Sequence, residues 1–123
     1  MIFVFGGAYQ GKTEYALKEF GKTTVCNVSE TGEPDFTKDV ITGLDGFAVR
    51  LAAAGEDPAA WFEARRDLWA EHILVVTDIS QGVVPIDREL RAAREANGRL
   101  MIYLAAEAEQ VHRVFCGIGK RIK

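Results

Sequence analysis

The sequence predicts an α/β fold, a three-layer sandwich with a mainly parallel sheet, formed by a single domain over residues 1–123. Three observations carry that expectation. Met1–Phe5 and His72–Asp78 are apolar runs rich in β-branched and aromatic residues, the pattern of strands covered on both faces. Segments of helical periodicity alternate with such runs, and repeated βαβ units close into a parallel sheet flanked by helices. A glycine-rich stretch joins the first run to the first helical segment, where α/β folds place backbone turns that approach ligands closely.

The first run, Met1-Ile2-Phe3-Val4-Phe5, leads into Gly6-Gly7-Ala8-Tyr9-Gln10-Gly11-Lys12-Thr13, which fits the pattern GxxxxGK[ST] at every fixed position. Gly6 and Gly11 admit backbone conformations that a side chain forbids, so that successive N–H groups can point inward at a polyphosphate. Lys12 is then placed for β- and γ-phosphates, and Thr13 offers its hydroxyl to Mg²⁺. The helix starting there aims its positive end at the same charge. Gly6, Gly7, Ala8, Tyr9, Gln10, Gly11, Lys12 and Thr13 are therefore the candidate nucleotide-binding residues. The alternative is a turn that merely joins strand to helix; the order strand, loop, helix weighs against it. The fold expectation narrows to a P-loop NTPase-like sandwich.

The first helix is expected over Thr13–Lys22, with Ala16, Leu17 and Phe20 facing inward and Gly21 as its stop. Thr23–Asn27 reads as a second strand, Val28–Lys38 as a loop, and Asp39–Leu44 as a third, weaker strand that leaves Asp45 at its carboxyl end. A helix follows from about Phe47 to Ala54. After the break at Gly55-Glu56-Asp57-Pro58, Asp57 can cap a further helix reaching Glu71, with Trp61, Phe62, Leu68 and Trp69 packed inward. The strand His72–Asp78 ends in a hydroxyl and a carboxylate, Ile79–Pro85 is a turn-rich connection, and a long helix spans about Asp87–Ala106. Asp87 with Arg91, and Glu95 with Arg99, have the acid-first spacing of helical ion pairs on a solvated face. Arg88, Arg91 and Arg94 as a phosphate-contacting row is the competing reading. Gln110–Cys116 is expected as the last strand, followed by a turn at Gly117-Ile118-Gly119 and a short basic end.

Composition bounds the function. The chain is 48% hydrophobic and 27% charged, a globular balance, and its formal net charge of −3 supplies no summed attraction for nucleic acid or an anionic membrane. Neither is expected as a partner. The apolar runs are all short of a bilayer span and no signal peptide is visible, so a cytoplasmic protein is expected. Cys26 and Cys116, far apart and in apolar strand-like runs, are read as buried free thiols. His72 and His112 each stand without a second ligand at metal spacing and are read as structural.

A phosphate loop works with Mg²⁺, which draws one or two carboxylates besides the loop hydroxyl. Asp78 and Asp45, each at the end of an expected strand, are the candidates to join Thr13 as metal ligands. Lys12 and Asp78 are the candidate catalytic residues. For either aspartate the plain alternative is a cap or turn former.

Phe5-Gly6-Gly7-Ala8 with Gly11-Lys12-Thr13, Val75–Pro85 with Asp78 and Gly82-Val83-Val84-Pro85, and the later series Arg88, Arg91, Arg94, Gly98-Arg99, Leu104-Ala105, Val111 and Gly117-Ile118-Gly119 resemble the adenosylcobinamide kinase/adenosylcobinamide-phosphate guanylyltransferase family of cobalamin biosynthesis. The resemblance covers roughly half the chain. It implies a P-loop enzyme, a phosphotransferase that phosphorylates the aminopropanol arm of a cobinamide using ATP or GTP. It also implies transfer of GMP through a guanylylated histidine and a homo-oligomer, typically a trimer.

Departures from that family's pattern shape the expectation. Between Asn27 and Asp39 there is neither His nor Arg, where the family carries the guanylylated histidine, so guanylyl transfer is expected to be lost. The family's DCxT element is met only by Asp45-Gly46-Phe47-Ala48, its NQ pair by Met101-Ile102, and its NE pair by Thr77-Asp78, which keeps a carboxylate. The expectation is a shortened kinase-type member using Mg²⁺ with ATP or GTP. A catalytically degenerate nucleotide-binding subunit is the alternative.

Overall fold

A computed structural model describes residues 1–79 and 87–123. The expected connection lies, beyond Ile79, outside the described residues, and with it Gly82-Val83-Val84-Pro85. The strands are β1 (Ile2–Gly6), β2 (Val25–Asn27), β3 (Val40–Thr42), β4 (Ile73–Thr77), β5 (Gln110–Phe115) and β6 (Ile118–Arg121). They form one mixed sheet in the order β2-β3-β4-β1-β5-β6. Every pairing is parallel except β5 with β6. The expected α/β class and mainly parallel sheet are present.

β1 lies between β4 and β5, and its side chains alternate between two apolar layers as the pleat requires. Val4 meets Ala16, Val40, Ile73, Val75 and Val114 on the face covered by α1 (Lys12–Glu19), where Leu17 and Phe20 complete the packing. Phe3 meets the larger cluster on the opposite face, with Leu74, Val76, Leu100 and Leu104. That face is covered by α3 (Leu44–Ala53), α4 (Pro58–Glu63), α5 (Arg66–Trp69) and α6 (Arg88–Glu107); α2 is the short helix Val28–Thr31. Burying alternate residues of one strand against two helical layers is what gives β1 its unbroken apolar run.

Several boundaries differ from expectation for local reasons. The loop expected at Val28–Lys38 opens with the helical turn α2 because the Asn27 carboxamide accepts the Ser29 N–H at 3.1 Å. The single helix expected from Asp57 to Glu71 is two pieces. Buried Trp69 directs its Nε1–H to the Phe62 carbonyl at 2.8 Å, an acceptor that an uninterrupted helix would give to Arg66. Leu68, expected inside, is consequently 51% exposed.

Cys116, expected in a buried strand, sits exposed in the turn between β5 and β6. Cys116 and Gly117 both have positive φ, 51° and 76°, the sign shared by both central residues of the tight hairpin turn whose twist matches that of its strands. The hairpin was not expected, since Cys-Gly lacks the Asn-Gly or Asp-Gly signature and the strand after it is half basic. Gly119 on β6 has a packing role: a Cβ there would fall on the Tyr15 ring. α6 starts as expected, the Asp87 carboxylate accepting from Glu89 N at 2.7 Å and Leu90 N at 3.3 Å. Arg99 pairs with Asp57 at 3.8 Å instead of with Glu95. Among the described residues no helix is long and apolar enough to cross a membrane.

Candidate functional site

The loop Gly6–Thr13 leaves the carboxyl end of β1 at the middle of the sheet. Its first glycine is obligatory for packing, because a Cβ on Gly6 would fall on the Val114 carbonyl of neighbouring β5. Gly11, at φ 81°, turns the chain into α1 in the left-handed region. Between them Tyr9 has φ 58° and a fully exposed side chain.

Lys12 is the loop's one buried charge, 9% exposed, and its Nζ donates to the Gly7 carbonyl at 2.7 Å. Burial pushes its ammonium pKa below the ordinary lysine value, while the carboxylates of Asp45 and Glu14 act in the opposite sense. A desolvated cation folded back onto its own loop suits exchange of that carbonyl for a stronger anionic partner.

Around Lys12 the carboxyl ends of three parallel strands converge. Thr13 of α1 places its hydroxyl 3.5 Å from that of Thr42, the last residue of β3. Asp45, in the first turn of α3, accepts the Thr77 N–H at 3.4 Å and so ties the end of β3 to the end of β4. Asp78 follows β4, half-buried, with its N–H donating to the Gly6 carbonyl at 2.8 Å. The sequence-expected residues Lys12, Thr13, Asp45 and Asp78 are therefore gathered at one end of the sheet. The Asp45 carboxylate acts on Lys12 as well as on the Thr77 N–H.

The donor set can be tested against Mg²⁺. No group of three or more His, Cys, Asp or Glu side chains converges among the described residues, so an all-protein cage is not what they offer. Mg²⁺ held with a polyphosphate needs only a hydroxyl and one or two carboxylates, which Thr13, Asp45 and Asp78 can supply.

Three supporting contacts were not legible in the sequence. Thr42 bonds Thr13 from a strand whose end could not be placed to the residue. Gln10 is braced from the far end of the chain, its side-chain oxygen taking the Cys116 N–H at 2.6 Å and its backbone carbonyl the Gly117 N–H at 2.7 Å. Asn97 of α6, 1% exposed, donates through Nδ2 to the Thr77 carbonyl at 3.1 Å and holds the end of β4. A polar residue inside the apolar repeat of α6 was the available signal for Asn97. Of the arginine row on α6, Arg88 and Arg91 are exposed and Arg94 is half-buried. His72 Nε2 bonds the Phe36 carbonyl at 2.7 Å, and His112 lies between Tyr15 and Gln110, within hydrogen-bond distance of each.

Fold and site together define an α/β protein with a glycine-rich loop and a buried lysine at the carboxyl end of a mostly parallel sheet, where open sheets of this class take their ligands. Over 54 residues the chain is 41% identical to the bifunctional adenosylcobalamin biosynthesis protein CobU of Salmonella typhimurium (strain LT2). The match covers 44% of this chain and 30% of that protein, so the chain spans less than a third of the length of the curated relative it matches. No family model matches the chain.

Proposed function

We propose that this protein is a P-loop nucleotide-binding phosphotransferase that uses ATP or GTP with Mg²⁺ to phosphorylate an alcohol, with a cobinamide as the acceptor. The observation that carries the reading is Lys12, a buried ammonium with a carbonyl of its own loop as hydrogen-bond partner, inside a full match to GxxxxGK[ST]. Its partial identity to an adenosylcobalamin biosynthesis protein supports the acceptor class.

In this reading the loop N–H groups orient the phosphates and Lys12 offsets charge on the transferring group. Thr13 with Asp45 or Asp78 would hold the metal ion, which would supply charge neutralisation to the phosphates. Asp45 is favoured for that place because it opens α3 three residues after Thr42, whose hydroxyl meets that of Thr13. No side chain is assigned as a base. A cytoplasmic homo-oligomer, a trimer by resemblance, completes the reading.

The test is direct. Purified protein with Mg·ATP or Mg·GTP and adenosylcobinamide is expected to yield phosphorylated corrinoid, and Lys12→Ala to reduce the rate about a hundredfold or more, as removal of one transition-state donor does elsewhere. A second reading, a nucleotide-binding regulatory subunit without catalysis, is favoured by the absence of His and Arg between Asn27 and Asp39. Tight nucleotide binding with no product would select it.

A further inference from the structure

Asn97 is the one polar residue among the buried positions of α6, which are otherwise Ala96, Leu100 and Leu104. Its carboxamide is unevenly used. Nδ2 lies 3.1 Å from the Thr77 carbonyl and 3.7 Å from Met101 Sδ, while Oδ1 finds no donor among the described residues. A buried oxygen left without a donor is destabilising, and asparagine favours a helix less than leucine does. Packing and helix propensity therefore do not account for asparagine at this position. What it adds over its apolar neighbours is an N–H group aimed at Thr77.

Thr77 links the two candidate metal carboxylates. β3 pairs with β4 at Val40–Ile73 and Ile41–Leu74 and ends at Thr42, so Thr77 lies past that ladder. Side chains take the place of the missing strand: Asp45 accepts the Thr77 N–H at 3.4 Å, and Asn97 donates to the Thr77 carbonyl. The peptide unit that carbonyl belongs to is held at its other end, where the Asp78 N–H donates to the Gly6 carbonyl at 2.8 Å. A short hydrogen-bonded chain thus runs from α6 through the Thr77–Asp78 peptide to the first residue of the glycine-rich loop. Members of such a chain polarise one another, so removing the donor at its end weakens the rest.

We propose that Asn97 is a positioning residue: its carboxamide fixes the Thr77–Asp78 peptide, and through it the places of Asp45, Asp78 and the start of the loop, for Mg²⁺ held with a nucleotide. This rests on the phosphate-binding reading of the loop. Groups that orient metal ligands from behind are commonly worth about tenfold to a hundredfold in metal affinity, which sets the scale of the expected effect. Whichever aspartate serves the metal, Asn97 acts on it through Thr77.

The test titrates Mg²⁺ into the full chain with ADP or GDP, whichever the wild type binds more tightly, and follows hydrogen exchange at the Asp78 amide. Asn97→Ala is expected to raise the Mg²⁺ concentration for half-maximal nucleotide binding about tenfold or more, and to speed that exchange. Ala96→Gly weakens the same helix at the neighbouring buried position, away from the Thr77 carbonyl. It is expected to lower the melting temperature and leave both readouts unmoved. Where circular dichroism shows Asn97→Ala unfolded, Asn97→Leu, which keeps an apolar helix face and lacks the N–H, replaces it with the same expectation. Failure of both to fold, either readout unmoved in the folded variant, or an equal change in Ala96→Gly overturns the positioning role. Nucleotide binding that is lost in Lys12→Ala then leaves the loop reading standing. Nucleotide binding that is absent, or indifferent to Lys12→Ala, overturns both.

Discussion

Gln10 and Cys116 stand 106 positions apart in the chain, yet the Cys116 N–H donates to Gln10 Oε1 at 2.6 Å. The next N–H, of Gly117, donates to the Gln10 backbone carbonyl at 2.7 Å, so both oxygens of a loop residue are held by one hairpin turn. The conformation of the loop thereby depends on a strand pair formed by the last residues of the sequence.

Gln10→Ala removes the side-chain half of that brace. The expected cost is about 0.5–1.5 kcal/mol, the usual net value of such a bond, read as a lower urea midpoint at unchanged slope. Faster hydrogen exchange at the Cys116 amide should accompany it. Exchange as slow as in the wild type would mean that the brace does not hold the turn.

Asp45 and Asp78 make different predictions for the metal. Asp45→Asn is expected to raise the Mg²⁺ concentration needed for half-maximal ADP binding by about tenfold, a loss of roughly 1.4 kcal/mol, while Asp78→Asn changes it less. The reverse ranking in a Mg²⁺ titration would assign the metal to Asp78.

His112 sets a pH dependence. Burial, and then the Arg121 cation, push its pKa below the ordinary value of 6.5, with Glu19 acting against them. The unfolded chain therefore binds a proton in a window where the folded one does not, and stability falls as pH drops below about 6.5 towards the lower folded value. Melting temperature followed from pH 8 to pH 5 should show this loss, and His112→Gln should flatten it. An equal slope in the variant would move the effect to other groups.

Gly119 and Tyr15 are matched in shape. Gly119→Ala is expected to cost about 1–3 kcal/mol, because its methyl group meets the Tyr15 ring. In a Tyr15→Ala background the same substitution should cost little, a non-additivity measurable by a double-mutant cycle. Additive costs would show that the clash is relieved elsewhere.

Much of the architecture is written locally. Apolar runs of period one or two mark β1 and β4, Gly6–Thr13 marks the loop, and Asp87 marks the start of α6 by a cap that depends on residues two and three positions on. Gathering Lys12, Thr13, Asp45 and Asp78 at one end of the sheet also follows from the sequence, because parallel strands must all end there. The α4–α5 break was hidden because it depends on where the Trp69 indole finds an acceptor.

What the sequence determined by itself, then, is the alternation of strand and helix and the position of the Gly6–Thr13 loop between β1 and α1, since both depend on neighbours in the chain. Only the tertiary structure decided what holds that loop. Gln10 meets the Cys116–Gly117 turn, Gly6 meets Val114, and Thr13 meets Thr42, each through contacts between segments far apart in sequence. Hydrogen-bond donors and close backbone approaches leave no periodicity behind them, so such contacts become visible only once the sheet has brought the strands side by side.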